Sequence, residues 1–172
     1  MNNLRQIKDK IVAKIMLMFP GLLHSWAKKG DFITHEDSPF TPLAKPLSQC
    51  RLALVTTGGV HHMDQKPFDM IDPQGDPTFR EIHATAAPEN LTITHNYYDH
   101  GDAEKDINIV LPLQRVQDLV NTGEIGSVNS RHVSFMGHIT GPHITTLVNE
   151  TAPQVAAMLK NDGVDIVILT PT

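Results

Sequence analysis

Apolar residues near the amino terminus recur every three or four positions, which is the spacing of one face of an α-helix. The stripe consists of Leu4, Ile7, Ile11, Ile15 and Met18. With basic residues on much of the remaining surface, the pattern predicts an amphipathic helix over residues 1–19. Such helices generally bury their apolar face, so we expect it to pack on its own domain or on a second subunit. Docking to a membrane surface or to a partner is the alternative.

Residues 20–50 show no regular apolar period. The Pro20-Gly21 pair is expected to end the first helix, and three further prolines fall within residues 39–46. Because closely spaced prolines favour extended and turn backbone, we predict an extended connector over residues 20–50.

Beyond residue 50, short apolar runs alternate with segments of helical spacing. Residues 51–57 are apolar almost without alternation, which indicates a strand buried on both faces, as in a parallel sheet. The strands are predicted over residues 51–57, 91–95, 132–136 and 164–170, the last also buried, and the helices over residues 113–121 and 149–161. This alternation predicts an α/β domain over residues 51–172, with a mainly parallel sheet and flanking helices, Rossmann-like or flavodoxin-like.

Length and composition are those of one globular domain, with 172 residues of which 40% are hydrophobic and 19% charged. Fourteen Lys and Arg residues against 19 Asp and Glu residues give a net charge of -5. This balance argues against a nucleic-acid-binding protein, whose affinity depends on neutralising phosphates. The ten histidines are the first compositional sign of chemistry.

Cys50 is the single cysteine, so an internal disulfide or a thiolate metal cluster is excluded, as is common in a reducing cytoplasm. No apolar run reaches the roughly 18 residues that a membrane span needs. The nearest, residues 15–23, is broken by the Pro20-Gly21 pair, and Lys14 adjoins it with no small-residue cleavage site following. We therefore expect a cytoplasmic protein without a membrane span or secretion signal.

The last predicted strand is followed directly by Pro171 and Thr172. In open α/β sheets, ligands bind and catalytic groups lie at this carboxyl edge of the strands. A parallel sheet also normally needs a further crossover helix to cover its face, which predicts an additional segment. The alternative is that this strand closes the domain.

Two loops carry residues suited to chemistry. Gly58 and Gly59 follow the first predicted strand, where successive backbone N–H groups could face a small anion, although a tight turn is the simpler interpretation. Residues 95–106 combine imidazoles, carboxylates and phenols, which move protons or hold metals. The candidate zinc or iron ligands are His95, Asp99 and His100, with His61 or His62. Because no spacing matches a metal signature, we favour hydrogen bonding to a substrate or within the loop, with Asp102 at a helix start.

Four basic residues are candidate clamps for a substrate carboxylate, since cationic side chains bind carboxylates and a guanidinium does so in bidentate fashion. They are Lys66, Arg80, Arg115 and Arg131. Each is also compatible with an ordinary surface charge.

Short motifs in collinear order from about Phe40 onward resemble the glycine/sarcosine/betaine and D-proline reductase selenoprotein B family. They are residues 53–61 (ALVTTGGVH), 68–69 (FD), 75–77 (GDP), 79–80 (FR), 98–108 (YDHGDAEKDIN), 111–112 (LP), 123–126 (GEIG), His132, 135–137 (FMG), 162–165 (DGVD) and 169–171 (LTP). The amino-terminal helix lies outside the resemblance.

The resemblance implies a reductase that cleaves the C–N bond of an amino acid or derivative of the glycine, sarcosine, betaine or D-proline type. It implies that a selenolate or thiolate attacks the carbon bearing the amine, and that a dithiol or thioredoxin-like reductant resets the enzyme. It further implies other reductase subunits, one carrying a pyruvoyl group in the best-known members. A homo-oligomer is the alternative to such a complex.

In this family, the strand that resembles residues 165–171 leads into a selenocysteine or cysteine, two residues and usually a further cysteine. Selenocysteine is encoded by UGA, ordinarily a stop codon. We therefore expect the sequence to be a fragment that lacks the nucleophile, which would follow Thr172. We expect no cofactor in this chain itself.

Residue chemistry suggests further roles within that frame. Gly58 and Gly59 amides or Arg80 would hold the substrate carboxylate, and Asp102 is a further candidate contact to the substrate. The expected proton-transfer residues are His61, His95 and Asp99.

Two other functions are compatible with the sequence. One is a metal-dependent hydrolase or lyase built on the histidine- and aspartate-rich loop, which stoichiometric zinc or iron would support. The other is a non-catalytic binding subunit, which fits the basic helix and the missing nucleophile.

Overall fold

The computed structural model describes residues 7–8, 11–12, 14–15, 18–28 and 40–172. Most of the amphipathic helix predicted over residues 1–19 therefore lies outside the described residues. Among the described residues, no helix is both long enough and apolar enough to cross a membrane.

Part of the predicted connector is helical. Helix α1 (Pro20–Ala27) begins at the proline that was expected to end the preceding helix, and the N–H of Lys28 donates to His24 O at 3.1 Å in its last turn. Proline suits the first position of a helix because the N–H that it lacks would have no partner within the helix. Farther along, Leu47–Gln49 forms a 3-10 turn directly before the first strand.

Seven strands and three further helices follow. They are β1 (Arg51–Thr56), β2 (Val60–His62), β3 (Arg80–His83), β4 (Leu91–Ile93), α2 (Leu113–Asn121), β5 (Ser127–Val128), β6 (Arg131–Ser134), α3 (Pro142–Thr146), α4 (Ala152–Asn161) and β7 (Ile166–Thr170). Two short 3-10 turns, Pro88–Asn90 and Ile107–Ile109, lie between strands and helices, and a π-helical turn, Leu147–Thr151, joins α3 to α4.

β1 is the central strand of a five-stranded sheet. It runs parallel to β5 and β6 along one side and to β7 along the other, with Leu54 opposite Ile168. β3 adds to β6 in the antiparallel sense, and β2 with β4 forms a separate antiparallel sheet. The predicted mixed α/β class and the parallel pairing around β1 are confirmed. A Rossmann-like or flavodoxin-like arrangement is not established, because β3 is antiparallel and β2 and β4 lie outside this sheet.

Helices lie on both faces of the sheet. On one face, Leu52 and Leu54 of β1 share a core cluster with Val116 of α2. On the other face, Ala53 of β1 shares a second cluster with Leu159 of α4. Because successive strand residues point to opposite faces, β1 is buried on both sides, as its continuous apolar sequence predicts.

The prediction that the last strand is buried is wrong. β7 pairs with β1 along one edge, and within the described part of the chain no strand pairs with its outer edge. Val167 and Leu169 are 40% and 69% exposed. An apolar sequence therefore marks both the central strand and an edge strand, and only the pairing order distinguishes the two.

Candidate functional site

The ends of three parallel strands meet at one edge of the sheet. Past the end of β1, the N–H of Thr57 donates to Thr170 O of β7 at 3.2 Å. Past the end of β6, the N–H of Phe135 donates to Thr56 O at 2.8 Å. The residues that gather here are called the carboxyl rim, and they are Thr57, Gly58, Gly59, His95, Gly137 and Thr172.

Thr172 is fixed to the carboxyl rim by the residue that follows β1. Its N–H donates to Thr57 Oγ1 at 3.0 Å, and its hydroxyl donates to Thr57 O at 3.2 Å. Position 172 therefore has a defined place directly beside the glycine turn.

The Gly58-Gly59 turn brings the loop that begins at Thr94 against the end of β1. Gly59 has φ of 69°, and a Cβ there would lie 2.5 Å from Thr94 O, so only glycine fits. The N–H of Gly58 donates to Thr56 Oγ1 at 3.0 Å, and the N–H of Gly59 donates to Phe135 O at 2.9 Å. A substrate carboxylate at these amides would have to compete with both bonds.

His95 joins the histidine- and aspartate-rich loop to the carboxyl rim. Its side chain is buried, and the N–H groups of Gly137 and Tyr97 each approach one ring nitrogen at 3.1 Å. A neutral imidazole accepts at one nitrogen only, and a protonated ring would accept at neither. Burial, together with the neighbouring His100 and His138, lowers the pKa of His95 to about 4. The ring is therefore uncharged at neutral pH.

Tyr98 connects the same loop to the glycine turn. Its hydroxyl donates to Gly58 O at 3.0 Å, and its ring meets His95 edge to face with the centroids 4.7 Å apart. Burial, with a smaller effect of Glu104, raises the pKa of Tyr98 to about 12, so the phenol stays a hydrogen-bond donor. Sequence reasoning selected the loop but missed this residue, although Tyr98 opens one of the motifs that carry the family resemblance.

The other two predicted proton-transfer residues make their contacts outside the carboxyl rim. His61 is buried in β2, where its Nε2 lies 2.7 Å from Thr94 Oγ1. This contact brings it to the residue that precedes His95. Asp99 is exposed, and its carboxylate accepts the N–H of Gly101 at 3.1 Å.

The predicted substrate contacts Arg80 and Asp102 bond to their own surroundings. The guanidinium of Arg80 donates to Lys66 O at 2.7 Å and to Thr78 Oγ1 at 2.8 Å, among other acceptors, and it stacks on Phe68 at 4.4 Å. It lines an open pocket of about 430 Å³ together with other charged residues, among them Lys66 and Asp69. Asp102 is exposed and accepts from Lys105 Nζ at 2.7 Å, which, with the Coulombic attraction of the ammonium, lowers the pKa of this carboxyl.

The remaining candidate clamps make their contacts outside the carboxyl rim. Arg131 begins β6, so it lies at the opposite edge of the sheet, where its Nε donates to Asp162 Oδ2 at 2.7 Å. Arg115 is exposed on α2, 3.5 Å from Asp118. The backbone carbonyl of Lys66 is one of the acceptors of Arg80.

A metal centre is not formed by the described residues. Among them, no group of three or more His, Cys, Asp or Glu side chains is arranged to hold a metal ion. His62 Nε2 instead accepts the backbone N–H of His83 at 3.2 Å, and His100 Nε2 lies 3.1 Å from His95 O.

Comparison with known proteins gives a consistent picture. The sequence model of the glycine/sarcosine/betaine reductase selenoprotein B family matches residues 32–172. The D-proline reductase subunit gamma of Acetoanaerobium sticklandii is 37% identical over 131 residues, which cover 76% of this chain and 52% of the relative. The sarcosine reductase complex component B subunit beta of Peptoclostridium acidaminophilum is 30% identical over 138 residues, which cover 78% of this chain and 30% of the relative.

A third relative is also a subunit of an amino-acid reductase complex. The glycine reductase complex component B subunit gamma of Carboxydothermus hydrogenoformans is 30% identical over 139 residues, covering 78% of this chain and 31% of the relative. The chain thus matches about half of the first relative and less than a third of the other two. No solved structure matches it.

Proposed function

Because the chain belongs to the glycine/sarcosine/betaine reductase selenoprotein B family, we propose that it is a component of a reductase that cleaves a C–N bond. The substrate is an amino acid or an amino-acid derivative of the glycine, sarcosine, betaine or D-proline type, and a dithiol supplies the electrons. The relatives are named as subunits of D-proline, sarcosine and glycine reductases.

The convergence at the carboxyl rim is the observation that supports this proposal. Thr172, the Gly58-Gly59 turn and His95 come from segments far apart in the chain, and hydrogen bonds tie them to one edge. A selenocysteine or cysteine after Thr172 would supply the attacking chalcogen there. A polarizable nucleophile of low pKa suits this chemistry, because an ordinary thiol with a pKa of about 8.5 is mostly protonated at neutral pH.

Among the predicted proton-transfer residues, His95 has the position that suits the role. With its pKa lowered to about 4, the ring is neutral near pH 7 and is not an imidazolium donor. We therefore assign it the part of proton acceptor, for which Nε2 has to release its bond with the N–H of Gly137. Its bond with the N–H of Gly137 keeps the ring beside Thr172. Substrate contacts of Arg80 and Asp102 stay predictions.

The proposed enzyme needs more than this chain. We propose that it works in the cytoplasm with other reductase subunits and a dithiol or thioredoxin-like reductant. A pyruvoyl group on a partner subunit would supply an electrophile for the substrate amine.

The coding sequence after Thr172 gives the first test. We expect a UGA codon followed by an open frame that encodes a cysteine three positions farther on. A different stop codon, or a frame without a nearby cysteine, contradicts a nucleophile at the carboxyl rim.

Activity gives the second test. The full-length chain with its partner subunits should consume one dithiol for each C–N bond cleaved, with release of the amine from glycine, sarcosine or betaine and opening of the ring of D-proline. Amine release without dithiol consumption, by a protein that carries stoichiometric zinc or iron, would instead support the metal-dependent hydrolase.

A further inference from the structure

Thr57 makes a set of contacts to the end of β7 that the strand ladder alone does not require. Its N–H donates to Thr170 O at 3.2 Å, its Oγ1 accepts the N–H of Thr172 at 3.0 Å, and its carbonyl accepts the hydroxyl of Thr172 at 3.2 Å. The two hydroxyl oxygens are also 3.3 Å apart. Both the main chain and the side chain of one residue thus hold position 172.

Other residues hold the end of the strand itself: the hydroxyl of Thr170 donates to Val110 O at 2.7 Å, and the hydroxyl of Thr56 donates to Thr170 O at 3.3 Å. The contacts to Thr172 come from Thr57. β7 is an edge strand that pairs with β1 alone within the described chain, and Leu169 is 69% exposed. Pro171 has no N–H with which to continue the ladder. The side-chain oxygen of Thr57 therefore takes the first N–H after the strand.

The restrained position faces the other parts of the carboxyl rim. A Cβ on Gly137 would lie 3.5 Å from Thr172 O, 3.4 Å from Thr57 O and 3.4 Å from His95 Nε2. The carbonyl oxygen of Thr172 therefore lies next to Gly137, on the side where His95 Nε2 also lies.

We propose that the hydroxyl of Thr57 is a positioning group that sets where the residue after Thr172 lies relative to His95 and Gly137. This inference rests on the proposed function, which places the attacking chalcogen at that residue. Thr57 itself touches neither substrate nor the reacting atoms in this proposal. It acts by fixing the backbone from which the nucleophile extends.

The experiment uses the full-length chain, with its partner subunits and a cysteine or selenocysteine after Thr172. Thr57→Val removes the hydroxyl at nearly constant shape, and Thr57→Ser keeps it. Thr122→Val is the matched control, because the Thr122 hydroxyl also makes several hydrogen bonds, to Asp118 O and Leu119 O among others, at the end of α2. Steady-state kinetics, thermal unfolding and the rate of alkylation of the nucleophile by iodoacetamide across pH 5–9 are measured for each variant.

We expect kcat of Thr57→Val to fall about 10- to 100-fold, with KM within about twofold, because small misplacements of reacting groups cost rates of this order. Thr57→Ser should stay within about threefold of the wild type, and Thr122→Val should keep full activity. The pH profile of alkylation should change in Thr57→Val and not in Thr57→Ser, which a general loss of stability would not produce.

Failure of the inference and failure of the proposed function are distinguishable. If the wild type turns over and Thr57→Val matches it in kcat and in alkylation, the inference is overturned and the proposed function stands. The opposite result is that the wild type reduces none of the amino acids, while the pH profile of alkylation still differs between Thr57→Val and Thr57→Ser. In that case the positioning role is supported and the proposed function fails.

Discussion

His95 and His132 are both buried, and burial is the main reason that the pKa of each lies at about 4. His132 Nδ1 accepts the N–H of Leu54 at 3.0 Å. This bond fills a gap in the ladder, because β1 pairs with β5 up to Val128 and with β6 only from Val133 onward. The imidazole thus replaces a backbone acceptor in the middle of the sheet, and the neutral ring then carries its hydrogen on Nε2.

Replacing His132 tests this role. His132→Leu should lower the free energy of unfolding by about 1–3 kcal/mol more than His132→Asn, because leucine leaves the buried N–H of Leu54 without an acceptor. The side-chain oxygen of asparagine branches from the same position as Nδ1 and can accept the bond. Urea unfolding at pH 7 measures both values, and equal losses in the two variants would show that the hydrogen bond contributes nothing.

At the scale of single elements, two helices end in the way that their sequences indicate, whereas the position of strand β7 is not indicated by its sequence. α2 and α4 each end before a glycine in the left-handed region, Gly123 with φ of 77° and Gly163 with φ of 72°. The N–H of Gly123 donates to Val120 O and that of Gly163 to Lys160 O, both at 3.0 Å, which closes each helix. β7, in contrast, is recognisable as a strand from its sequence but lies at an edge that its sequence does not reveal.

Alanine substitutions at Gly123 and Gly163 test the effect of the left-handed backbone conformation alone. A Cβ on Gly123 would meet no atom within 4 Å, and one on Gly163 would be 3.7 Å from Arg51 Nη1, so neither substitution causes a clash. Each should nevertheless cost about 1 kcal/mol, because the left-handed conformation is unfavourable for alanine.

Thermal and urea unfolding of the two single variants and of the double variant check this expectation. The free energy of unfolding lost in the double variant should equal the sum of the losses in the two single variants, because the glycines end different helices. Gly137→Ala is the control for adding a methyl group where φ is not positive, and it should unfold like the wild type. If Gly137→Ala lowers the free energy of unfolding as much as Gly123→Ala does, the left-handed conformation is not the cause of the loss.

In the whole molecule, the two edges of the sheet differ in the kind of interaction that stabilises them, charged at one edge and neutral at the other. At the amino edge, Arg131 bonds Asp162 at 2.7 and 2.8 Å and Glu81 at 3.1 Å. At the carboxyl edge, neutral groups make the contacts, among them the threonine hydroxyls, the glycine amides and the uncharged His95. The residues of the carboxyl rim therefore form no ion pairs with one another.

Two of the buried histidines, His95 and His132, make the stability of the whole molecule depend on pH. Each has an ordinary pKa of 6.5 and a folded-state pKa of about 4, so the unfolded chain binds more protons between these values. The contribution of each histidine to the free energy of unfolding is therefore fully present above about pH 6.5. It is lost as the pH falls toward 4, by up to about 1.4 kcal/mol per pH unit for each histidine.

Urea unfolding at pH 7, 6 and 5 measures this dependence. His132→Asn should lose about half of the wild-type slope, because one of the two titrating rings is gone. An unchanged slope in this variant would show that other groups cause the dependence.

Family membership and most of the regular elements could be predicted from the sequence, since apolar runs, helical spacing and short motifs are properties of neighbouring residues. Helix α2 has its predicted bounds, and β1, β4, β6 and α4 lie within a few residues of theirs. The glycine turn and the histidine-rich loop were also selected correctly as neighbours of strand ends. Helix α1 within the proline-containing connector and the short elements β2, β3, β5 and α3 were not predicted.

Contacts between distant residues were decided only by the tertiary structure. Thr57 meets Thr172 across a separation of 115 positions, and Gly137 meets His95 across 42. Whether an apolar strand becomes the centre, like β1, or an edge, like β7, depends on which strands pair beside it. Local sequence thus determined the longer elements with a clear apolar pattern, such as β1 and α2, because periodicity and turn chemistry act over a few residues. Pairing and packing decided which side chains share the carboxyl rim, because those contacts exist only once the chain has folded.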